Sequence, residues 1–271
     1  MYVVKASGKK EEFNPGKILS TLRRAGATQK LANEIENEVE KKAYDGITTR
    51  EILDNALELL KSRKPEVADI YDLKRAIMTL GPTGFPFEKF FAEVLRNYGY
   101  ETQIDQIVSG KFSTHEIDIS AVKKNIRYMV EAKYHNTQGV YTDLKVVLYV
   151  YARFLDLKRK FDVPWIVTNT RISSNAMNYS KGVGIKITSW KYPGKESLEG
   201  LIEGKKLYPI TILKSVNESV KGNLIRSGIV MVKDLLNIDF GELQKRTKIS
   251  REDLASLVEE AGKVYKVKVG K

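Results

Sequence analysis

The sequence predicts a multidomain α/β protein. A mostly helical N-terminal part with a small β-hairpin leads into a central mixed sheet flanked by helices, and an all-helical part follows. Three observations predict this. Two short strand-like stretches near the start precede a series of helical periodicities that ends near residue 80. Between residues 85 and 190 the patterning follows the order α-β-β-β-α-β-α-β, which builds a mixed sheet covered by helices. From residue 201 onward, helical spacings dominate.

Tyr2-Val3-Val4-Lys5 reads as a strand, Gly8-Lys9-Lys10 as a turn, and Glu11-Glu12-Phe13 as a second strand. Asn14-Pro15 then opens a helix, because Asn is a good N-cap and Pro suits the first helical position. Lys17 falls in the first turn, where the helix dipole and free amides already favour an anion. Lys5, Lys9 and Lys17 are therefore candidates to converge on a phosphate chain. Further helices are expected over residues 31–43, 49–61 and 65–80. A small helical domain with a lysine-rich surface would show the same spacing.

The run Val4-Lys5, Gly8, Glu11, Phe13-Asn14, Lys17-Ile18, Asp45-Gly46-Ile47 and Val67-Ala68-x-x-Tyr71-x-x-x-Arg75-Ala76 resembles the ATP-cone. That domain is the nucleotide sensor of ribonucleotide reductases and of a zinc-ribbon repressor. The resemblance covers residues 1–82 and implies an ATP- or dATP-binding site. It places Lys5, Lys9 and Lys17 at the phosphates and Glu11 and Asn14 at the sugar or base. Val4 and Ile18 would pack near the adenine. Ala6 stands where the family usually has a basic residue, and Leu53 replaces a polar one.

The central part carries the chemistry. Pro86-Phe87-Glu88 opens a helix whose apolar residues Phe87, Phe90, Phe91, Val94, Leu95 and Tyr98 follow the i, i+3, i+4 rule, and Gly99 closes it. His115-Glu116-Ile117-Asp118 and Val130-Glu131-Ala132-Lys133-Tyr134-His135 read as two strands of a hairpin, with Val122-Lys123-Lys124-Asn125-Ile126 as its turn. Alternation sets Asp118 against the apolar face of Ile117 and Ile119. It puts Glu131 and Lys133 on one face and Val130 and Ala132 on the other. Two carboxylates can hold Mg²⁺ or Mn²⁺. A nearby lysine can position a water and counter charge on a phosphate. An ordinary solvated hairpin face can have the same residues. An amphipathic helix over 143–161, a buried strand over 163–168, a short helix over 176–179 and a strand over 185–188 complete the unit.

That order, with these residues, resembles the PD-(D/E)XK nuclease superfamily, and in particular its Mrr-like restriction-endonuclease branch, over residues 85–190. The family pattern is a helix glutamate, a strand aspartate and a Glu-x-Lys, here Glu88, Asp118, and Glu131 with Lys133. The resemblance implies that Asp118 and Glu131 bind the metal, Lys133 orients the attacking water and Glu88 supports the metal shell. Ile117 stands where the namesake proline would be, and Gln138 is a loose match to a residue of the later helix. The two histidines, His115 and His135, flank the site and are kept outside the catalytic set.

Gly81-Pro82-Thr83-Gly84 forms a breaker-rich joint, and the nuclease-like part is expected over 83–200. In the remaining part, 201–271, an amphipathic helix over 215–227 ends at Gly228. Next come Gly228-Ile229-Val230-Met231-Val232-Lys233-Asp234-Leu235-Leu236, a helix over 240–245, and a capped start at Ser250. The Gly-Ile-x-x-Val-x-Asp-Leu-Leu run resembles helix-hairpin-helix domains, which grip the DNA backbone; a packing or dimerisation module would look similar.

Composition narrows the partners. Lys and Arg number 46 against 34 Asp and Glu, a net charge of +12, distributed as +2, +5 and +5 over 1–82, 83–200 and 201–271. The excess lies in the two parts expected to touch DNA. The absence of cysteine removes disulfides, thiolate zinc sites and the thiol chemistry of a radical reductase. No apolar run approaches a membrane span, and a cytoplasmic protein is expected. The function expected is a Mg²⁺- or Mn²⁺-dependent DNA endonuclease under ATP or dATP control, with a homodimer suited to cutting both strands. The alternative is a catalytically inactive, nucleotide-responsive DNA-binding regulator.

Overall fold

Residues 1–137 and 139–267 are described by the computed structural model, so Gln138 and residues 268–271 lie outside the account that follows. The chain divides into two units: Met1–Ala76 together with Ile210–Lys271, and Ile77–Pro209.

In the first unit β1 (Tyr2–Val4) and β2 (Lys10–Glu12) pair antiparallel with Val3 opposite Glu11, and Gly8 takes φ +77° in the turn between them. Helix α1 (Pro15–Arg24) starts after Asn14 and carries Arg23 and Arg24 in its last turn, where cations favour the dipole. Helix α2 (Gln29–Lys42) is capped by Thr28, and α3 (Thr49–Arg63) by a capping box of Thr48 and Glu51. The helix expected over 65–80 is two: α4 (Pro65–Tyr71) and α5 (Leu73–Met78). The break falls at Asp72, whose ψ of 18° leaves the helical region without any Gly or Pro to announce it.

The second unit holds the sheet. Its elements are α6 (Phe85–Asn97), β3 (Glu101–Ser109), β4 (Thr114–Lys123), β5 (Ile126–Lys133), β6 (Tyr141–Thr142) and α7 (Leu144–Leu157). They continue with β7 (Val163–Thr168), β8 (Arg171–Ile172), α8 (Ser174–Val183), β9 (Lys186–Thr188) and α9 (Leu198–Lys205). The main sheet has the order β3-β4-β5-β7-β9, antiparallel through β5 and parallel from β5 to β9. The turn expected over 122–126 is shorter, because β4 runs to Lys123 and β5 starts at Ile126; only Lys124 and Asn125 turn, both at positive φ as a two-residue hairpin requires. On one face α7 and α8 bury Val147, Val150, Phe154 and Ala176 against Met129, Ile166 and Ile187. On the other, α6 buries Phe87, Phe90, Phe91 and Val94, with Phe91 edge-on to Trp165.

The C-terminal part of the first unit consists of α10 (Glu218–Arg226), α11 (Val232–Asn237), α12 (Phe240–Thr247) and α13 (Arg251–Lys266). The helix predicted from residue 215 starts at Glu218, because Asn217 caps it through Val220 N–H at 2.9 Å. Glu260 of α13 accepts from the Lys214 and Ser215 amides, and Lys214 reaches the buried Asp69 of α4 at 3.0 Å. Thr211 donates to the Ala76 carbonyl at 2.6 Å. These links bind the C-terminal helices to the last helices of the N-terminal part. No described helix is long and apolar enough to cross a membrane.

Candidate active site and nucleotide site

The ladder between β4 and β5 ends at Ile119 opposite Val130, and one step further stand Asp118 and Glu131. There the strands part, and the Ala132 amide donates to Asp118 Oδ2 at 2.7 Å instead of to a backbone carbonyl of β4. Glu131 is only 7% exposed, while Lys133, on the same face two residues on, is more open, with its ammonium 3.9 Å from Glu131 Oε1. Burial, and then the charge of Glu131, push the Asp118 carboxyl up to about 6 against the pull of Ala132, Arg153 and Lys133. Burial raises Glu88, in the first turn of α6, to about 7, helped by the charges of Asp118, Asp105, Glu116 and Glu131. Gly84 leaves room for this side chain, since a Cβ there would stand 3.1 Å from Glu88 Oε1. The fold thus brings Glu88, Asp118, Glu131 and Lys133 into one electrostatic neighbourhood.

The sequence reading missed Arg153. This α7 residue donates to Glu131 Oε2 at 2.7 Å and to the Glu116 carbonyl at 3.1 Å, with its guanidinium over the Tyr149 ring. Its Nε is buried without a hydrogen-bond partner. The signal was present: Arg153 lies on the apolar stripe of α7 with Val146, Val150 and Leu157, and a lone charge on a buried stripe calls for a buried partner. Asp105 was also missed. It lies opposite Asp118 between the pairs Ile104–Ile119 and Gln106–Ile117, at φ +52° inside β3.

The histidines have separate surroundings. His115 Nε2 is 2.8 Å from Asp156 Oδ2. The His135 backbone is clamped by Asn169, which accepts its amide at 2.9 Å and donates to its carbonyl at 2.7 Å. Burial, and then Lys133, lower the His135 pKa. A cavity of about 200 Å³ beside this strand end is lined by Thr83, Gly84, Tyr134, His135 and Asn136, among others. Gln138 lies outside the described residues.

Among the described residues no three His, Cys, Asp or Glu side chains cluster closely enough to hold a metal ion. The pair Asp118 and Glu131 nevertheless fits Mg²⁺ or Mn²⁺. Its donors are all hard oxygens, and the charge of Glu131, which adds to burial in raising Asp118, is what a divalent cation would offset.

At the N-terminal site Glu11 gathers two of the three predicted lysines. It pairs closely with Lys5 and lies 3.2 Å from Lys17. The Lys5 hydrogen bond is the main cause of a lowered Glu11 pKa, followed by opposing burial and then Lys17. Asn14 is at the N-cap position of α1 but its side chain makes no capping bond. Lys9 is exposed in the turn, where its carbonyl accepts the Lys5 amide at 2.9 Å. Val4 is half-buried beside Thr48, whereas Ile18 is buried in the helical core.

This α/β unit, joined to a small helical part with a β-hairpin, defines a restriction-endonuclease-type domain fused to an ATP-cone. Family models agree: the ATP cone domain matches residues 1–77, the restriction endonuclease domain 82–192, and the AF1548-like C-terminal domain 208–265. The chain belongs to the AF1548-like family. An uncharacterized protein of Archaeoglobus fulgidus is 43% identical over 174 residues, 64% of this chain and 98% of that protein. The crystal structure of AF1548, a protein of unknown function, is 41% identical and covers 67% of this chain and 98% of its own, with a TM-score of 0.62. Can2 of Sulfobacillus thermosulfidooxidans, solved with cyclic tetra-adenylate, is 11% identical over 67% of this chain and 60% of its own. Its TM-score of 0.32 is too low to carry an argument.

Proposed function

We propose that this protein is a metal-dependent DNA endonuclease that hydrolyses phosphodiester bonds and is regulated by ATP or dATP bound to its N-terminal cone. The observation that carries the reading is the meeting of Asp118, Glu131 and Lys133, at the point where β4 and β5 part, with the raised Glu88 of α6. In this reading residues 1–82 sense nucleotide, 83–200 cut, and 201–271 grip the DNA backbone in the manner of a helix-hairpin-helix.

Asp118 and Glu131 would hold Mg²⁺ or Mn²⁺, with Glu88 in support. A bound ion supplies Lewis-acid polarisation of the phosphodiester and a more acidic water. Lys133, 43% exposed at its side chain, would orient the attacking water and counter the charge that grows on the phosphate. Glu88, raised to about 7 by burial and by the carboxylates around it, would ionise more completely beside a bound cation. At the cone, Lys5, Lys9 and Lys17 meet the phosphates, Glu11 and Asn14 the sugar or base, and Val4 and Ile18 the adenine side. Two copies of the chain, one for each strand, complete a double-strand cut.

The test is nicking and linearisation of supercoiled plasmid in Mg²⁺ or Mn²⁺, with and without ATP and dATP. Asp118→Ala and Lys133→Ala should abolish it, and nucleotide should change the rate. A second reading, a nucleotide-responsive DNA-binding regulator without hydrolysis, is favoured by one observation: Arg153 already holds Glu131 Oε2. DNA binding with no cutting under any nucleotide or metal would select it.

A further inference from the structure

The tip between β3 and β4 is built around a single carboxylate. Asp156 of α7 accepts the Phe112 amide at 2.8 Å, the Ser113 amide at 3.1 Å and His115 Nε2 at 2.8 Å. Its own carbonyl accepts the Lys111 amide at 3.1 Å, and the tip is closed by Gly110 N–H on the Ser113 carbonyl at 2.6 Å. Residue 110 must be glycine here: a Cβ would stand 2.0 Å from Asp156 Oδ2 and 2.9 Å from the Ser113 carbonyl oxygen. Such a network fixes the backbone of four consecutive residues, yet it leaves the side chain at its apex mostly in water. Phe112 is 82% exposed, and Ile107 beside the tip on β3 is 70% exposed.

An exposed ring alone needs no occupant, but one fixed on a hydrogen-bonded tip, with an exposed isoleucine beside it and cations around it, is placed to meet one. Charge identifies it. The Lys111 ammonium lies 4.6 Å from the Phe112 ring centroid. Lys158, Arg159 and Lys160, all exposed, follow Asp156 at the end of α7. Two such tips from two copies would bring like charges together, which disfavours self-association through this surface. A polyanion with apolar faces suits both the ring and the cations, and a nucleic acid is that polyanion. From Thr114 to Asp118 the strand advances about 13 Å, close to four base steps.

We propose that Phe112 is a wedge that stacks on or between DNA bases beside the cutting site, held in position by Asp156 and flanked by Lys111. The proposal rests on DNA as the substrate and adds its class: duplex that can be unstacked or bent, such as flexible or distorted steps. Insertion at the tip separates a base step, and the neighbouring cations hold the displaced backbone.

The test uses the full chain on a thymine-rich duplex in EDTA, so that nothing is cut. Affinity is read by anisotropy, and unstacking by permanganate oxidation of thymines. Wild type should make specific thymines reactive. Phe112→Ala should lose that reactivity and bind about tenfold more weakly, the scale of one lost base–aromatic stack. Phe112→Trp should keep both. Gly110→Ala, which retains the ring but displaces the tip, should lose the reactivity while its circular dichroism stays that of wild type. Binding with an unchanged thymine pattern in Phe112→Ala overturns the wedge and leaves the DNA reading standing. Absence of any wild-type binding at low salt overturns both. An unchanged pattern with self-association lost in Phe112→Ala, read by sedimentation, overturns the wedge and assigns the ring to a second copy.

Discussion

Replacing Arg153 by alanine should destabilise the protein and, at the same time, loosen its hold on a carboxylate that divalent metal would use. The pair is deeply placed, with side chains 11% and 9% exposed for Arg153 and Glu131, so solvent screens it little. The guanidinium makes a 2.7 Å charge-assisted bond to Glu131 and a 3.1 Å bond to the Glu116 carbonyl. Removing one partner of a buried pair costs about 3–5 kcal/mol, since the other charge is left without compensation. We take the lower end, about 3 kcal/mol, because Lys133 still lies 3.9 Å from Glu131. For a unit of this size that is a fall of about 10 °C in Tm. Thermal unfolding of the full chain measures it. If the cost is the stranded Glu131 charge, Glu131→Gln in the Arg153→Ala background should recover most of the loss. Mn²⁺ should also raise the Tm of Arg153→Ala more than that of wild type, because no guanidinium then competes for Glu131. A double variant as unstable as Arg153→Ala, together with equal Mn²⁺ shifts in wild type and variant, would refute the reasoning.

The other expectations concern separate groups. Lys133→Ala should abolish plasmid cleavage while Tm moves by no more than about 1 °C, as a half-exposed ammonium 3.9 Å from a carboxylate already held by Arg153 contributes little; a large Tm loss would make Lys133 a structural residue. Lys5→Ala should weaken ATP binding about tenfold or more by calorimetry, the worth of one charge-assisted bond, and unchanged affinity would remove Lys5 from the nucleotide site. Burial raises Asp72 from the usual 3.8 to about 6, so the folded state keeps a proton that the unfolded chain releases first. Its contribution is fully present below pH 3.8 and is lost as pH rises through 6, by roughly 3 kcal/mol at most. Asp72→Asn should therefore raise Tm at pH 8 relative to wild type and leave it nearly unchanged at pH 4; equal gains at both pH values would contradict this.

Local chemistry made much of the fold legible. Alternation and turn residues gave the β4–β5 hairpin, and the apolar spacing of Phe87, Phe90, Phe91 and Val94 gave α6. The break at Asp72 was not legible, because no residue type there opposes a helix and the kink answers to packing. Glu88, Asp118, Glu131 and Lys133 could be named because each has a fixed place in a strand or helix pattern. Arg153 and Asp105 could not be joined to them on spacing alone. Arg153 reaches Glu131 from a helix 22 residues away, and Asp105 meets Asp118 only through the β3–β4 register.

The grouping of the two chain ends had no local signature either. Asp69 and Lys214 are each unremarkable in sequence, a helix carboxylate and a loop lysine, yet they meet at 3.0 Å with Asp69 buried. Burial raises the Asp69 pKa while Lys214 opposes it, so the lysine is what makes the buried carboxylate tolerable. Glu260 then fixes the amides of Lys214 and Ser215 from α13. Helices of the nucleotide-binding part and of the C-terminal part therefore share one set of charges and hydrogen bonds. A shift of α4 on nucleotide binding would have to break or carry these contacts with it. If the C-terminal helices bind a ligand of their own, as proposed above, free energy that nucleotide spends on these contacts couples the two sites, and by linkage that ligand would change nucleotide affinity by the same factor.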